Sequence, residues 1–126
     1  MKIFICEPDD YKAKLMHDVL SVYKYKIINI KKGANLLNEV ATHQPTVIIY
    51  NEDFSTYDTD STLDKLRSNP ETANIPIILI GGSDDEKDDK FRYDNLIEFV
   101  HEPIRLKNLR HYVDRYTTLR TLFIKK

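Results

Sequence analysis

The sequence predicts an α/β domain, a parallel sheet of five strands with crossover helices, and three observations carry that prediction. Four short apolar runs, Ile3-Phe4-Ile5-Cys6, Val47-Ile48-Ile49-Tyr50, Ile77-Ile78-Leu79-Ile80 and Ile97 to Val100, each stop abruptly at polar or small residues. Runs this short, β-branched and without alternation read as strands covered on both faces. The stretches between them place apolar residues at helical spacing. Strand and helix then alternate along the whole chain, as in βα units joined by right-handed crossovers, which together make a doubly wound domain.

Each element has its own signals. After the first strand comes Glu7-Pro8-Asp9-Asp10, where Asp9 or Asp10 can cap a helix whose apolar stripe is Leu15, Met16, Val19 and Leu20. Tyr25 to Ile30 reads as a second, less regular strand. Gly33 introduces a second helix with Leu36, Leu37 and Val40, and His43-Gln44-Pro45 ends it, because the residue before a proline disfavours helical backbone. The third strand stops at Asn51. A third helix near Asp60 to Ser68 has only Leu63 and Leu66 as firm anchors and is closed by Asn69-Pro70. Ser83-Asp84-Asp85-Glu86 starts a fourth helix, its acids placed where the helix dipole favours them. Pro103 precedes a fifth helix that runs to the end. In such a sheet the functional residues gather just past the carboxyl ends of the strands, which puts Glu7, Pro8, Asn51, Gly81 and Glu102 around one crevice.

Composition narrows the function classes. With 126 residues the chain fits one domain, and 19 Lys and Arg against 20 Asp and Glu create no overall field that would select nucleic acid or a membrane. The balance is uneven, however: from Ile104 onward seven basic residues face the single acid Asp114, so the last helix is basic and the body acidic. Cys6 is the only cysteine and lies inside a strand, which excludes an intrachain disulfide and reads as a small buried residue. Neither a signal peptide nor a run of about 18 apolar residues is present, so a cytoplasmic protein without a membrane span is expected. A dinucleotide-binding fold would need a glycine-rich turn after the first strand. Here that turn carries carboxylates, which repel phosphates.

An acid after strand one, a polar residue closing strand three, a small residue after strand four and a residue followed by proline after strand five form a known constellation. Together with Gly33, Gln44-Pro45, Asn74-Ile75-Pro76 and Glu102-Pro103 at matching spacings, they make residues 1–116 resemble the receiver domain of two-component response regulators. Residues 117–126 then extend the last helix, as a linker toward a further domain or as a dimer seam. The resemblance implies a flavodoxin-like sheet of order 2-1-3-4-5 and, in active members, an aspartate that accepts phosphate from a histidine kinase beside a bound Mg²⁺. Carried over by position, that chemistry is largely missing. The phosphoacceptor falls at Asn51, which has no carboxylate to attack phosphorus. The two metal-binding acids fall at Glu7 and Pro8, the phosphoryl-sensing hydroxyl at Gly81, the aromatic switch at Phe99 and the lysine at Glu102, which reverses the charge. The proline and glycine after the acceptor correspond to Ser55 and Thr59. The resemblance therefore implies a pseudo-receiver: not an enzyme, without Mg²⁺ or other cofactor, acting through protein contacts.

Other readings of the same residues remain open. Asp53, two positions along from Asn51, could act as a displaced phosphoacceptor with a divalent metal, whereas Glu52 points the opposite way by strand alternation. Glu7, Asn51, Glu102 and Asp9 could form an oxygen site for a cation, but hydrogen bonding from the Asn51 amide relieves the same carboxylate repulsion and is preferred. Gly81-Gly82-Ser83 resembles an anion nest, yet a turn is the simpler role. His17, His43, His101 and His111 show no metal-ligand spacing. Leu106, Leu109, Val113, Tyr116 and Phe123 form an apolar seam on the last helix, and Leu119 and Leu122 lie beyond the part needed to cover the sheet. By the resemblance, the partner surface is the fourth helix, fifth strand and fifth helix, with Arg110, Tyr112, Arg115, Tyr116 and Leu119 as its candidate residues. There the basic helix could meet the acidic run Asp84, Asp85, Glu86, Asp88 and Asp89 of a second copy, a histidine kinase or an effector.

Overall fold

Five parallel strands build one sheet: β1 (Lys2–Cys6), β2 (Lys26–Asn29), β3 (Val47–Asn51), β4 (Ile77–Gly81) and β5 (Ile97–His101). They lie in the order β2-β1-β3-β4-β5. The structure is a computed structural model and describes residues 1–54, 59–82 and 96–124, with backbone alone at residue 60 and from residue 118 onward. The described helices are α1 (Asp10–Ser21), α2 (Leu36–His43), α3 (Thr59–Ser68) and α4 (Leu106–Ile124), the last being the fifth helix of the sequence reading. The predicted fourth helix, with its acidic run, lies outside the described residues.

Strand alternation divides the core between the two sheet faces. Phe4, Cys6, Ile48, Tyr50, Ile77 and Leu79 point to one face, where Leu36 and Val40 of α2 and Leu63 and Leu66 of α3 cover them. Ile3, Ile5, Val47, Ile49, Ile78 and Ile80 point to the other, under Met16 and Leu20 of α1 and Leu109, Val113 and Tyr116 of α4. This double covering is why the three central strands read as unbroken apolar runs. Cys6 is fully buried, and burial pushes its thiol pKa far above the ordinary range.

One strand boundary differs from the sequence reading, and the helix ends take definite form. β2 is shorter than the predicted Tyr25 to Ile30 by one residue at each end, and Tyr25, just before it, donates its hydroxyl to Asp114 on α4 at 2.7 Å. Asp9, rather than Asp10, caps α1, accepting from the main-chain N–H groups of Tyr11 and Lys12 at 2.9 and 3.0 Å. Asn35 caps α2, and Gln44 ends it in the left-handed region with φ 47°. α4 begins three residues after Pro103, at Leu106.

Candidate functional site

The strand register assembles the crevice. Cys6 lies beside Tyr50, Asn51 beside Ile80, and Gly81 beside His101, so Glu7, Asn51, Gly81 and Glu102 follow one another along the carboxyl edge of the sheet. Asn51 is at the centre and 3 % exposed. Its side-chain Nδ2 donates to Glu7 Oε1 at 2.9 Å and to Glu102 Oε1 at 2.8 Å. Its Oδ1 accepts from the main-chain N–H of Asp53 at 2.8 Å. Both amide protons and the amide oxygen are therefore occupied within the chain.

The two acids are held in turn. Glu7, almost buried, uses its second oxygen to accept from the main-chain N–H of Asp9 at 2.9 Å, so the turn into α1 fixes the carboxylate. Glu102 has a cation: the ammonium of Lys12, on the first turn of α1, stands 3.7 Å from its Oε2. Two carboxylates sharing one amide nitrogen would repel by roughly a few kcal/mol at protein permittivities. The amide hydrogens and the Lys12 charge offset that repulsion. Next to this group, a mainly apolar hollow of 200 Å³ lies between α1 and α4, floored by Leu15, Met16, Ile80 and Leu106.

The donor set does not suit Mg²⁺. That ion takes hard oxygen ligands in near-octahedral geometry, and here the amide turns its oxygen to the Asp53 N–H and its hydrogens toward the acids. Pro8, half-buried, adds no side-chain donor atom. Among the described residues, no group of three His, Cys, Asp or Glu stands close enough to hold a metal. Asp53 has an exposed carboxylate, and its place in the turn is set by its main-chain bond to Asn51.

The other positions of the constellation resolve differently. A side chain at Gly81 would require Glu52 to swing away, because a Cβ there would lie 2.5 Å from Glu52 Cδ. Strand alternation separates Glu52 from Asn51, but its carboxylate does not simply face solvent: Oε1 accepts from the main-chain N–H of Gly82 at 2.9 Å. Phe99 is half-buried on β5, with its ring 4.8 Å from that of His101 in an edge arrangement. Ser55 lies outside the described residues. Thr59 is buried at the start of α3 and donates its hydroxyl to the carbonyl of Glu52 at 2.7 Å.

The proposed contact surface on α4 needs one correction. Tyr116 is 3 % exposed and packs into the core, its hydroxyl donating to Glu98 Oε2 at 3.1 Å, so it offers no apolar surface to a partner. The helical stripe Leu109, Val113, Tyr116 packs on the sheet, so Tyr116 belongs to the part of the seam that covers the core. Arg110 stacks 4.0 Å over the Tyr23 ring and donates to the Tyr23 hydroxyl and to Asp114. Arg115 donates to both oxygens of Glu98 at 3.1 Å. Tyr112 is half-buried, and the Leu119 side chain lies outside the described residues. Between β5 and α4 a hollow of 300 Å³ is lined by residues including Phe99, His101, Arg105, Asn108 and Tyr112.

Lys12 and Glu52 are the site residues that sequence reasoning missed. A lysine on the first turn of a helix reads as a solvated charge, and a glutamate after a strand reads as a loop residue. Only the three-dimensional return of β5 and β4 beside them gives them partners.

No protein-family model and no curated protein matches this sequence. Solved structures do. A response regulator from Desulfuromonas acetoxidans superposes with a TM-score of 0.78 at 20 % identity, covering 94 % of this chain and 97 % of that one. The signal receiver domain of a signal transduction histidine kinase from Syntrophus aciditrophicus gives 0.78 at 20 % identity, covering 93 % and 89 %. The receiver domain of a sensor histidine kinase from Pseudomonas aeruginosa PAO1, solved with magnesium in its active-site cleft, gives 0.77 at 14 % identity, covering 93 % and 97 %. At these identities the likeness establishes that the chain has the receiver fold. Among the described residues, no helix is long and apolar enough to cross a membrane.

Proposed function

We propose that this domain is an atypical receiver of two-component signal transduction that is not phosphorylated at the usual position and acts by binding other proteins. One observation carries the reading: the residue at the acceptor position is an amide that spends both protons on Glu7 and Glu102. Phosphoryl transfer to a receiver needs a nucleophilic carboxylate and positive charge around the three equatorial oxygens. Here the nucleophile is absent, and Glu102 puts a negative charge against the same spot. Magnesium is coordinated in the active-site cleft of the Pseudomonas aeruginosa receiver; here the Asn51 amide gives its hydrogens to the two acids and Pro8 brings no side-chain donor, which supports a reading without metal. The domain is accordingly read as neither an enzyme nor a metal- or cofactor-binding protein.

The output surface in this reading is the region of β5 and α4, presented to a histidine kinase, an effector domain or a second copy. Arg105, Asn108 and Tyr112 border the hollow there, and Arg115, 60 % exposed at its side chain, adds charge on α4 where it pairs with Glu98 of β5. Incubation with Mg²⁺ and acetyl phosphate, followed by intact-mass measurement, tests the proposal. An unmodified mass is expected. A stoichiometric, hydroxylamine-labile phosphoryl adduct would overturn it, and mapping that adduct to Asp53 would establish the alternative of an active receiver with displaced, metal-dependent chemistry.

A further inference from the structure

The ends of β3, β4 and β5 are tied together at Gly81 and Gly82. The Gly81 carbonyl accepts from the main-chain N–H of Glu102 at 2.7 Å. The Gly82 N–H donates to Glu52 Oε1 at 2.9 Å, and the His101 Nδ1 lies 3.2 Å from the Gly82 carbonyl oxygen. The Glu52 carboxylate also fills the space a side chain at position 81 would take: an added Cβ would lie 2.5 Å from its Cδ and 2.7 and 2.8 Å from its two oxygens. Position 81 is where the receiver resemblance places the hydroxyl that senses a phosphoryl group. An anion belonging to the chain itself therefore stands where response to an added anion would be read.

We propose that Glu52 is a built-in anionic ligand of the β4 exit, which holds Gly81 and Gly82 in one arrangement and leaves the neighbouring β5 surface in a single, constitutive state. A charge-assisted hydrogen bond is stronger than a neutral one, and glycine at 81 is what admits the carboxylate. The consequence for partner binding rests on the pseudo-receiver reading above. The latch itself does not, since it is made of contacts within the chain.

Two measurements on the intact domain test the latch separately from any phosphorylation assay. In Glu52→Ala, amide exchange at Gly82 should accelerate about tenfold or more, as expected for losing a hydrogen bond to a charged acceptor, and added acetate should restore part of the protection. In Glu52→Gln the protection should be intermediate. The second measurement is a double-mutant cycle read by melting temperature. Gly81→Ala should lower it in the native background, where the methyl displaces Glu52, and raise it in Glu52→Ala, where restricting the unfolded chain is the remaining effect. Unchanged Gly82 exchange in Glu52→Ala, or equal effects of Gly81→Ala in the two backgrounds, would refute the latch while leaving the phosphorylation result untouched. An acetyl phosphate adduct would refute the pseudo-receiver reading while leaving the latch standing.

Discussion

The crevice around Asn51 and the outer side of the last helix use the same kinds of side chain, but they treat them differently. In the crevice Glu7 is 8 % exposed and Asn51 3 %, and every polar atom of the amide has a partner. On α4, Arg110 and Arg115 make ion pairs whose arginine side chains are 50 % and 60 % exposed. Removing one partner from a buried, hydrogen-bonded charged group strands the others at a cost of several kcal/mol, whereas exposed pairs contribute roughly 0.2–1 kcal/mol. The crevice is thus closed on itself. The helix surface is held lightly enough for a partner to compete for its charges.

The sharpest way to break this comparison is Asn51→Asp. It removes both donated hydrogen bonds and brings a third carboxylate against Glu7 and Glu102, so a stability loss of about 3 kcal/mol is expected by urea denaturation. The change should also fail to restore phosphorylation, because Pro8 still denies the site a metal ligand and Glu102, in place of a lysine, engages the nearby Lys12 ammonium. Adding Pro8→Asp, Gly81→Thr and Glu102→Lys should be needed, and the Glu52 carboxylate must move before a threonine fits at 81. A variant as stable as the parent would show that the amide network is incidental.

Asp114→Ala is expected to have a smaller effect, about 1–2 kcal/mol. It leaves the part-buried Tyr25 hydroxyl without its acceptor and releases Arg110. Arg115→Glu should change stability by less than about 1 kcal/mol. It should nevertheless weaken any self-association or partner binding seen by sedimentation, and added salt should do the same, since exposed charges mainly set encounter rate and specificity. Partner binding indifferent to both would remove α4 from the output surface.

The smallest effect concerns alkaline pH. Burial, together with its hydrogen bond to Asp114, raises the Tyr25 pKa above its ordinary 10.0. A folded-state pKa above the unfolded one means that the unfolded chain loses this proton first. The associated stability is present below pH 10 and drains away as the pH rises through the folded value. Tyr25→Phe should flatten that part of the pH–stability curve, measured by thermal melts.

Much of this architecture was legible in the sequence. The β-branched runs are strands because both sheet faces are covered, and Leu63 and Leu66 proved sufficient to anchor α3. The crevice residues were legible as well, since strand ends fix their place, and the expected hydrogen bonding from the Asn51 amide is what the structure contains. Tyr116 was misplaced because the resemblance assigned the last helix to a partner surface without saying which side chains face it, while the periodicity of Leu109, Val113 and Tyr116 keeps Tyr116 on the core. Lys12 and Glu52 were out of reach for a different reason. Their partners, Glu102 and Gly82, lie 90 and 30 residues away in sequence, and no local pattern marks a pairing made only by parallel crossovers.

The most direct test of a self-occupied crevice is the side-chain amide of Asn51, observed by ¹⁵N-¹H NMR as Mg²⁺ and beryllofluoride are added. The two Nδ2 protons should be separately resolved, slow to exchange with water and unmoved by the additions, because each is already given to a carboxylate. Rapidly exchanging protons that shift and saturate with Mg²⁺ would mean that the amide is free to turn its oxygen to a metal, and the crevice would then be an open ligand site rather than a closed one.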